Sequence, residues 1–154
     1  MQTLDAIDKK LLNELQEDGK QSIKQLAQKV NLSITPTHER IKRIEASGII
    51  KKYVALIDPE SININLVVYC QVTLAKHQED YFKEFETYIN TLEEVQEVCY
   101  IAGAYDYLLK IVLRDMKEYQ EFILDKISQL KIVSNLQSSF VIRQLKDETR
   151  IKIK

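Results

Sequence analysis

The amino-acid sequence predicts an α+β fold in two parts, a short helical region followed by a longer region of strands and helices. Through residues 4–44 the apolar side chains recur every three or four positions, which is the period of helices that pack on one face. From residue 66 onward, runs rich in β-branched and aromatic residues alternate with two further stretches of helical period. We therefore expect a helical domain joined to a sheet that carries helices.

Length and composition fit this division. The chain has 154 residues, 45% of them hydrophobic and 29% charged, which favours a short globular domain followed by a longer one. No run is apolar enough to cross a bilayer, and the start lacks the pattern of a secretory signal, so we expect a cytoplasmic protein with no membrane role. The formal net charge of -1 gives no overall attraction to nucleic acid, so any DNA binding requires a local surface.

Three helices are predicted in the first region. The first covers residues 4–15 and is followed by Gly19, while Ser22 and Ser33 are candidate N-caps of the second and third. The third helix ends before Gly48. The residues predicted to face inward are Leu4, Ile7, Leu11, Leu12, Leu15, Ile23, Leu26, Ala27, Val30, Ile34, Ile41 and Ile44.

The order of these helices is that of a helix-turn-helix, whose last helix enters the major groove of duplex DNA. Pro36 is compatible with the third helix because it falls in the first turn, where a backbone N–H has no intrahelical partner. Residues 49–57 have strand composition and are predicted to form a wing, which Asp58-Pro59 closes with a turn. We accordingly predict a winged helix-turn-helix domain over residues 1–57 and a linker over 58–65.

The second domain is predicted over residues 66–154 as a ferredoxin-like βαββαβ sandwich. The predicted strands are 66–74, 95–102, 107–113 and 136–145, and the predicted helices are 81–92 and a stretch that opens at Asp115 with Glu118 as a capping box. Two helices on one face leave the other face of the antiparallel sheet uncovered. We therefore expect another subunit to cover that face or a sheet edge, with residues 151–154 as a short extra strand at the interface.

Basic residues cluster where DNA is expected to lie. Between Ser33 and Lys52 there are five basic side chains and two acidic ones. Hydroxyl groups at the front of the third helix can bond to base edges or phosphates, and the cations can contact phosphates. Each residue taken singly is equally well explained by helix capping or a solvated surface, whereas the whole set favours DNA contact. The predicted DNA-binding residues are Ser33, Thr35, Pro36, Thr37, Arg40, Arg43, Lys51 and Lys52.

The turn Gly103-Ala104-Tyr105-Asp106 joins two predicted strands. Its backbone amides suit a carboxylate, and Asp106 can accept a hydrogen bond from an ammonium group, so the turn is a candidate site for a small zwitterion. The alternative is a hairpin in which Gly103 supplies a positive φ angle and Asp106 only stabilises the turn. The residues by themselves favour the hairpin, because short motifs are weak signals.

The remaining chemistry-bearing residues indicate neither a metal site nor catalysis. Cys70 and Cys99 are expected to be buried thiols, with a disulfide open only if their strands are neighbours. His38 and His77 are isolated from each other and from the cysteines, and His38 is expected to pack against its neighbours. The sequence has no nucleophile motif with a paired base and no phosphate-binding glycine loop, so we expect no enzyme and no cofactor.

Several longer motifs run through nearly the whole chain. They are Leu4-Asp5-x-Ile7-Asp8-x-x-Leu11-Leu12-x-x-Leu15-Gln16-x-Asp18-Gly19, Leu32-Ser33-x-Thr35-Pro36, Glu39-Arg40-Ile41-Lys42-Arg43-Ile44-Glu45-x-x-Gly48-Ile49-Ile50, Tyr53-x-Ala55, Val95-Gln96-Glu97-Val98, Gly103-x-Tyr105-Asp106-Tyr107-Leu108-Leu109-Lys110 and Asp115-Met116-x-x-Tyr119. Together they resemble the Lrp/AsnC family, the leucine-responsive and asparagine-responsive "feast or famine" transcription regulators of bacteria and archaea.

This resemblance implies a winged helix-turn-helix, a ferredoxin-like effector domain, and homodimers that commonly assemble into octameric rings on DNA. It also raises the zwitterion interpretation of the Gly103 to Asp106 turn above the hairpin, because amino-acid effectors of the family bind between dimers at this loop. A residue of the last strand of a neighbouring dimer often contributes, and Gln137 and Ser138 correspond to that position here. Two residues depart from the family pattern: Ala104 stands where an acidic residue is frequent, and His38 where an aliphatic residue is usual.

The leading hypothesis is therefore a sequence-specific DNA-binding transcriptional regulator that responds to an amino acid. Its expected partners are double-stranded DNA, a small amino acid and further copies of the same chain. The alternative hypothesis is an effector-independent protein of the same fold that organises DNA.

Overall fold

The computed structural model describes residues 3–153, so residues 1, 2 and 154 of the predicted domains lie outside the described part. The chain forms two compact units, one of residues 3–56 together with 146–153 and one of residues 57–145. The sequence predicted residues 146–153 as the end of the second domain, whereas the structure groups them with the N-terminal unit.

The N-terminal unit contains the three predicted helices, α1 (Ala6–Glu17), α2 (Ile23–Val30) and α3 (Ile34–Ala46). Asp5 is the N-cap of α1 and forms a capping box with Asp8, because each side chain accepts a hydrogen bond from the other residue's backbone N–H. Ser22 caps α2 as predicted and forms a second capping box with Gln25. Ser33 occupies the N-cap position of α3, but its side chain makes no capping hydrogen bond.

The predicted inward faces of these helices are largely confirmed. Leu11, Leu26, Val30 and Ile41 form the centre of a buried cluster, and Ile44 is also buried. Ile34 was predicted to face inward but is 54% exposed. The core positions of α3 are Thr37, Ile41 and Ile44, so a buried threonine takes the place that the pattern assigned to Ile34 in the first turn.

The predicted wing strand is absent in this single chain. Residues 51–58 carry no strand, although Val54, Leu56 and Ile57 have strand-forming or apolar side chains and are largely exposed. A strand requires a partner for its backbone groups, and none of the described residues supplies one. Residues 151–153, predicted as an extra strand, are also irregular. They instead lie along α1, where the side-chain amide of Gln16 bonds to both backbone groups of Ile151.

The second unit confirms the βαββαβ order. Its elements are β1 (Leu66–Leu74), α4 (Glu79–Ile89), β2 (Val95–Tyr100), β3 (Tyr107–Leu113), α5 (Met116–Phe122) with a π-helical extension (Ile123–Ile127), and β4 (Val133–Phe140). The sheet order is β2-β3-β1-β4, and all three pairings are antiparallel. The last strand was predicted over residues 136–145 but ends at Phe140, because β1, its only partner in the described sheet, begins at Leu66.

The two faces of the sheet differ in burial. Alternate residues of β1 and β3, such as Val68, Val72 and Leu109, are fully buried against Phe85 of α4 and Phe122 of α5. The opposite face, which we call the open face, is only partly buried; it includes Val67, Tyr69, Gln71, Thr73, Cys99, Leu108, Lys110, Val112, Asn135, Gln137 and Ser139. This asymmetry matches the expectation that one face of the sheet is left for another subunit.

Cys70 and Cys99 are free thiols on non-adjacent strands, since β3 lies between β1 and β2. Cys70 is buried as expected, whereas Cys99 lies on the open face and is only partly buried. Burial raises the pKa of the Cys70 thiol, an effect that a hydrogen bond with Ser138 partly offsets. Within residues 3–153, no cluster of side chains is suited to hold a metal ion, and none of the helices is long and apolar enough to cross a bilayer.

Candidate DNA-binding and effector sites

The turn between α2 and α3 sets the orientation of the predicted recognition helix. Asn31 ends α2 in the left-handed conformation, with φ 56 and ψ 45. Asparagine tolerates this conformation better than most residues. The backbone N–H of Leu32 then donates to the carbonyl of Ala27, which closes the end of α2 and lets α3 begin immediately at Ile34. The chain thus forms the tight helix-turn-helix that the sequence predicted.

The front of α3 presents only part of the predicted DNA-binding set. Ser33 and Thr35 are exposed, and Pro36 is half-buried. Thr37 is fully buried and donates its hydroxyl to the carbonyl of Ser33 at 2.9 Å. The prediction that Thr37 contacts DNA is therefore corrected, because its hydroxyl stabilises the first turn of α3 inside the core.

Arg40 and Arg43 of α3 bind carboxylates of α1. Arg40 Nη1 lies 2.6 Å from Asp5 Oδ2 and 2.7 Å from Asp8 Oδ1. Arg43 Nη2 lies 2.7 Å from Asp8 Oδ2. The hydrogen bonds to Asp5 from the backbone N–H of Asp8 and from Arg40 lower the pKa of Asp5. Hydrogen bonds to the carboxylates of Asp5 and Asp8 raise the pKa of Arg40. Both arginines were predicted to contact DNA, and the structure places them in a link between α1 and α3.

Three lysines remain as free cations near the recognition helix. Lys42 is exposed on α3, and Lys51 and Lys52 are exposed in the segment that follows it. Among the described residues, no carboxylate lies within ion-pair distance of any of them, so their charge is available for phosphate contact. His38, predicted to pack against its neighbours, is instead exposed on α3.

The predicted effector loop is built around Asp106. Its Oδ2 accepts a hydrogen bond from the backbone N–H of Leu74 at 2.7 Å, and its Oδ1 lies 3.0 Å from Nε2 of His77. Its own backbone N–H donates to the carbonyl of Val72. Asp106 therefore joins the beginning of β3 to the end of β1, a role that neither interpretation of the turn anticipated. Gly103 has no positive φ, which removes one premise of the hairpin alternative.

Tyr105 and Gln137 bring the loop and the last strand together within one chain. The hydroxyl of Tyr105 donates to Oε1 of Gln137 at 2.6 Å on the open face. Ser138 lies on the opposite side of β4, because successive residues of a strand point to opposite faces. It accepts a hydrogen bond from Tyr119 and contacts Cys70 Sγ at 3.2 Å. Gln137 thus adjoins the predicted site, and Ser138 belongs to the helix-covered side.

Two functional candidates escaped the sequence analysis. Asp8 is 1% exposed, and its position beside the inward-facing Ile7 and Leu11 was a signal that its carboxylate would be buried and need partners. His77 has no local signal, because its contact with Asp106 depends on the pairing of β1 with β3.

Comparison with known proteins identifies the family of the chain. The profile of the Lrp/AsnC ligand-binding domain matches residues 67–151, and that of a winged helix-turn-helix DNA-binding domain matches residues 4–51. The chain is 38% identical to the leucine-responsive regulatory protein of Escherichia coli strain K12 over 98% of this chain and 92% of that protein. It is 41% identical to the protein of the same name from Haemophilus influenzae, over 98% and 91% of the two chains.

Solved structures agree. A transcriptional regulator of Neisseria meningitidis, determined in complex with L-methionine, superposes with a TM-score of 0.94 at 34% identity and covers 97% of both chains. An AsnC family transcriptional regulator of Agrobacterium tumefaciens gives a TM-score of 0.92, also at 34% identity and 97% coverage of both chains. The chain therefore belongs to the Lrp/AsnC family of transcriptional regulators, with a winged helix-turn-helix DNA-binding domain followed by a ligand-binding domain.

Proposed function

We propose that this regulator binds specific duplex sites through α3 and the lysines that follow it, and that an amino acid bound at the Gly103 to Asp106 loop modulates the binding. The observation that carries the proposal is the occurrence of both domain types on one chain. Of the predicted contacts, the fold leaves Ser33, Thr35, Pro36, Lys51 and Lys52 exposed or partly exposed, and we add the exposed Lys42. Arg43 can add a phosphate contact, because its side chain is 48% exposed.

The loop supplies groups that suit both charged ends of an amino acid. The backbone amides of Gly103, Ala104 and Tyr105 donate no hydrogen bond within the described residues, so they can receive a carboxylate. The carboxylate of Asp106 is close by and 13% exposed, and Oδ1 is shared only with His77. An ammonium group can therefore bind Oδ1 beside or in place of the imidazole. The complex of the Neisseria relative with L-methionine supports this class of ligand.

Exposed apolar side chains support assembly of several chains. The open face carries apolar side chains such as Val67, Leu108 and Val112 that the described chain leaves partly exposed. Leu56 and Ile57 add exposed apolar surface before β1. Exposed apolar side chains of this kind are typical of subunit interfaces. We propose homodimers that assemble further into an octamer, with the effector bound between dimers and Gln137 at its edge.

The protein would act by binding, without catalysing a reaction, and would work in the cytoplasm where DNA is accessible. The second candidate function is an effector-independent protein of the same fold that organises DNA. It is favoured by the contacts of Asp106, because a carboxylate that already binds Leu74 and His77 also explains the loop without a ligand.

Thermal unfolding against each common amino acid at millimolar concentration separates the two functions, since a ligand of the folded state raises the midpoint. The regulator predicts a shift with one or a few amino acids and its loss in Asp106→Ala. Asp115→Ala is the matched control, because Asp115 caps α5 away from the loop. That variant should lower the starting midpoint and keep the ligand shift. If no amino acid shifts the thermal midpoint and none changes the affinity for DNA, the effector-independent function is supported.

A further inference from the structure

We propose that His38 determines which base pair this regulator prefers, as the central residue of an exposed face of α3 formed by Thr35, His38, Glu39 and Lys42. This inference rests on the proposed binding of specific DNA sites. It differs from the sequence-based set, which assigned DNA contacts to Arg40 and Arg43 and gave His38 a packing role.

Arg40 and Arg43 are the two arginines of α3. An arginine that reads guanine presents two donors of its guanidinium group side by side to the base edge. Nη1 of Arg40 is shared by two carboxylates, and only 25% of its side chain is exposed. Nη2 of Arg43 is held by Asp8. These contacts direct Nη1 of Arg40 and Nη2 of Arg43 towards α1, which disfavours the side-by-side presentation of two donors to a base. Recognition of bases by α3 is therefore assigned to other residues.

The period of the helix places four residues on one exposed face of α3. Thr35, His38, Glu39 and Lys42 are spaced by three, four and seven residues, so they share one face of the helix. All four are exposed, whereas the buried residues Thr37, Ile41 and Ile44 define the opposite side. Within the described residues, His38 and Lys42 make no hydrogen bond or ion pair through their side chains, so both are free to bind a partner.

Position along α3 and side-chain chemistry distinguish His38 from the other residues of this face. The N-terminal part of a recognition helix approaches the base edges, while residues further along approach the backbone. His38 is the fifth residue of α3, one turn beyond Thr35, and Lys42 lies a further turn along. An imidazole N–H can donate to N7 or O6 of a purine in the major groove, whereas the lysine ammonium suits a phosphate. His38 is thus expected to favour a purine at one position of each half-site.

The test is selection of binding sites from a random duplex library with the wild-type protein and with His38→Ala and His38→Asn. We expect His38→Ala to lose the preference at one position per half-site and to bind the wild-type site about fivefold or more weakly. His38→Asn should shift that position towards adenine, because the asparagine amide pairs with its N6 and N7. Binding to duplexes of unrelated sequence and its salt dependence should stay the same in both variants.

Lys42→Ala is the matched variant on the same face. It should weaken binding to every duplex and reduce the salt slope by about one, without changing the selected sequence. Thermal midpoints equal to that of the wild type show that the variants remain folded. If both His38 variants select the wild-type sequence with wild-type affinity, the role of His38 is overturned while DNA binding stands. A wild-type protein that enriches no sequence overturns the proposed specific DNA binding itself.

Discussion

Asp8 of α1 and Arg43 of α3 form an ion pair of 2.7 Å between Oδ2 and Nη2, and the Asp8 side chain is only 2% exposed. A buried carboxylate is stable only when its oxygens are bonded, and Arg40 occupies the other oxygen of Asp8 at 2.7 Å. The pair therefore joins the first helix to the recognition helix. The Asp8 carboxylate also explains why Arg40 and Arg43, on a predicted DNA-binding surface, bind within the domain.

Asp8→Asn should lower the free energy of unfolding by about 1–3 kcal/mol, because the amide keeps the shape but loses the negative charge and one of the two oxygens that accept from the arginines. The arginines can turn to solvent, which keeps the loss below that of a fully buried pair. Urea unfolding measures the change. Glu14→Gln is the control, since Glu14 pairs with Lys29 at the surface and should contribute less than about 1 kcal/mol. Equal losses in both variants would contradict the role assigned to Asp8.

Gly48 and Gly103 should differ in their response to replacement by alanine. Gly48 follows α3 with φ 75, a conformation that disfavours a side chain, so Gly48→Ala should destabilise the protein by about 1 kcal/mol. Gly103 has no positive φ and no atom within 4 Å of an added Cβ, so Gly103→Ala should be neutral or slightly stabilising. Urea midpoints of the two variants check this pair. A loss at Gly103 as large as that at Gly48 would indicate a contact with another subunit at the loop.

The elements of this fold were predictable because their signals are local. Helix period and caps such as Ser22 lie within a few residues of each other, and the alternation of helix and strand signals identifies the βαββαβ order. The predicted wing strand is not formed in the single chain, because the prediction rested on amino-acid composition alone. Residues 51–57 lack a hydrogen-bonding partner in one chain, and composition contains no information about partners.

The sites were harder to predict because their contacts join distant parts of the chain. Arg40 and Asp8 are 32 residues apart, as are Tyr105 and Gln137. The local sequence around a basic residue on α3 does not distinguish a contact with DNA from a contact with a buried aspartate. The burial of Thr37 was equally hidden, because a hydroxyl that bonds to the carbonyl four residues earlier can occupy a core position of a helix.

Alkaline pH should destabilise the second unit through Tyr107. Tyr107 is 1% exposed and its hydroxyl donates to Oε1 of Glu86 at 2.7 Å. Burial and this carboxylate both raise the pKa of Tyr107 above the value near 10 of an unfolded chain. Its stabilising contribution is therefore complete below about pH 10 and is lost as the pH rises further, by up to about 1.4 kcal/mol per pH unit for one proton.

Urea midpoints between pH 8 and 11 measure this loss, and Tyr107→Phe should make the alkaline decline shallower. Tyr53 is a second and smaller source. Partial burial and the acceptor Glu45 raise the pKa of Tyr53 to about 12, but the residue is 49% exposed, so solvent screening reduces the effect on stability. The variant Tyr53→Phe should therefore remove a separate part of the decline, in the N-terminal unit. If the urea midpoint of Tyr107→Phe falls with pH as steeply as that of the wild type, the pKa of Tyr107 is not raised in the folded state.

The last prediction concerns residues 146–153, which Gln16 holds against α1. Its Nε2 donates to the carbonyl of Ile151 at 3.1 Å, and its Oε1 accepts from the N–H of Ile151 at 2.7 Å. Gln16→Ala removes both bonds, so the tail should detach more often and trypsin should cleave after Arg150 about fivefold faster, as expected for roughly 1 kcal/mol. Gln28→Ala, at an exposed position of α2, is the control and should leave the cleavage rate unchanged. Equal rates in the two variants would show that the rest of the tail contacts, including the ion pair of Arg150 with Glu17, hold the segment without Gln16.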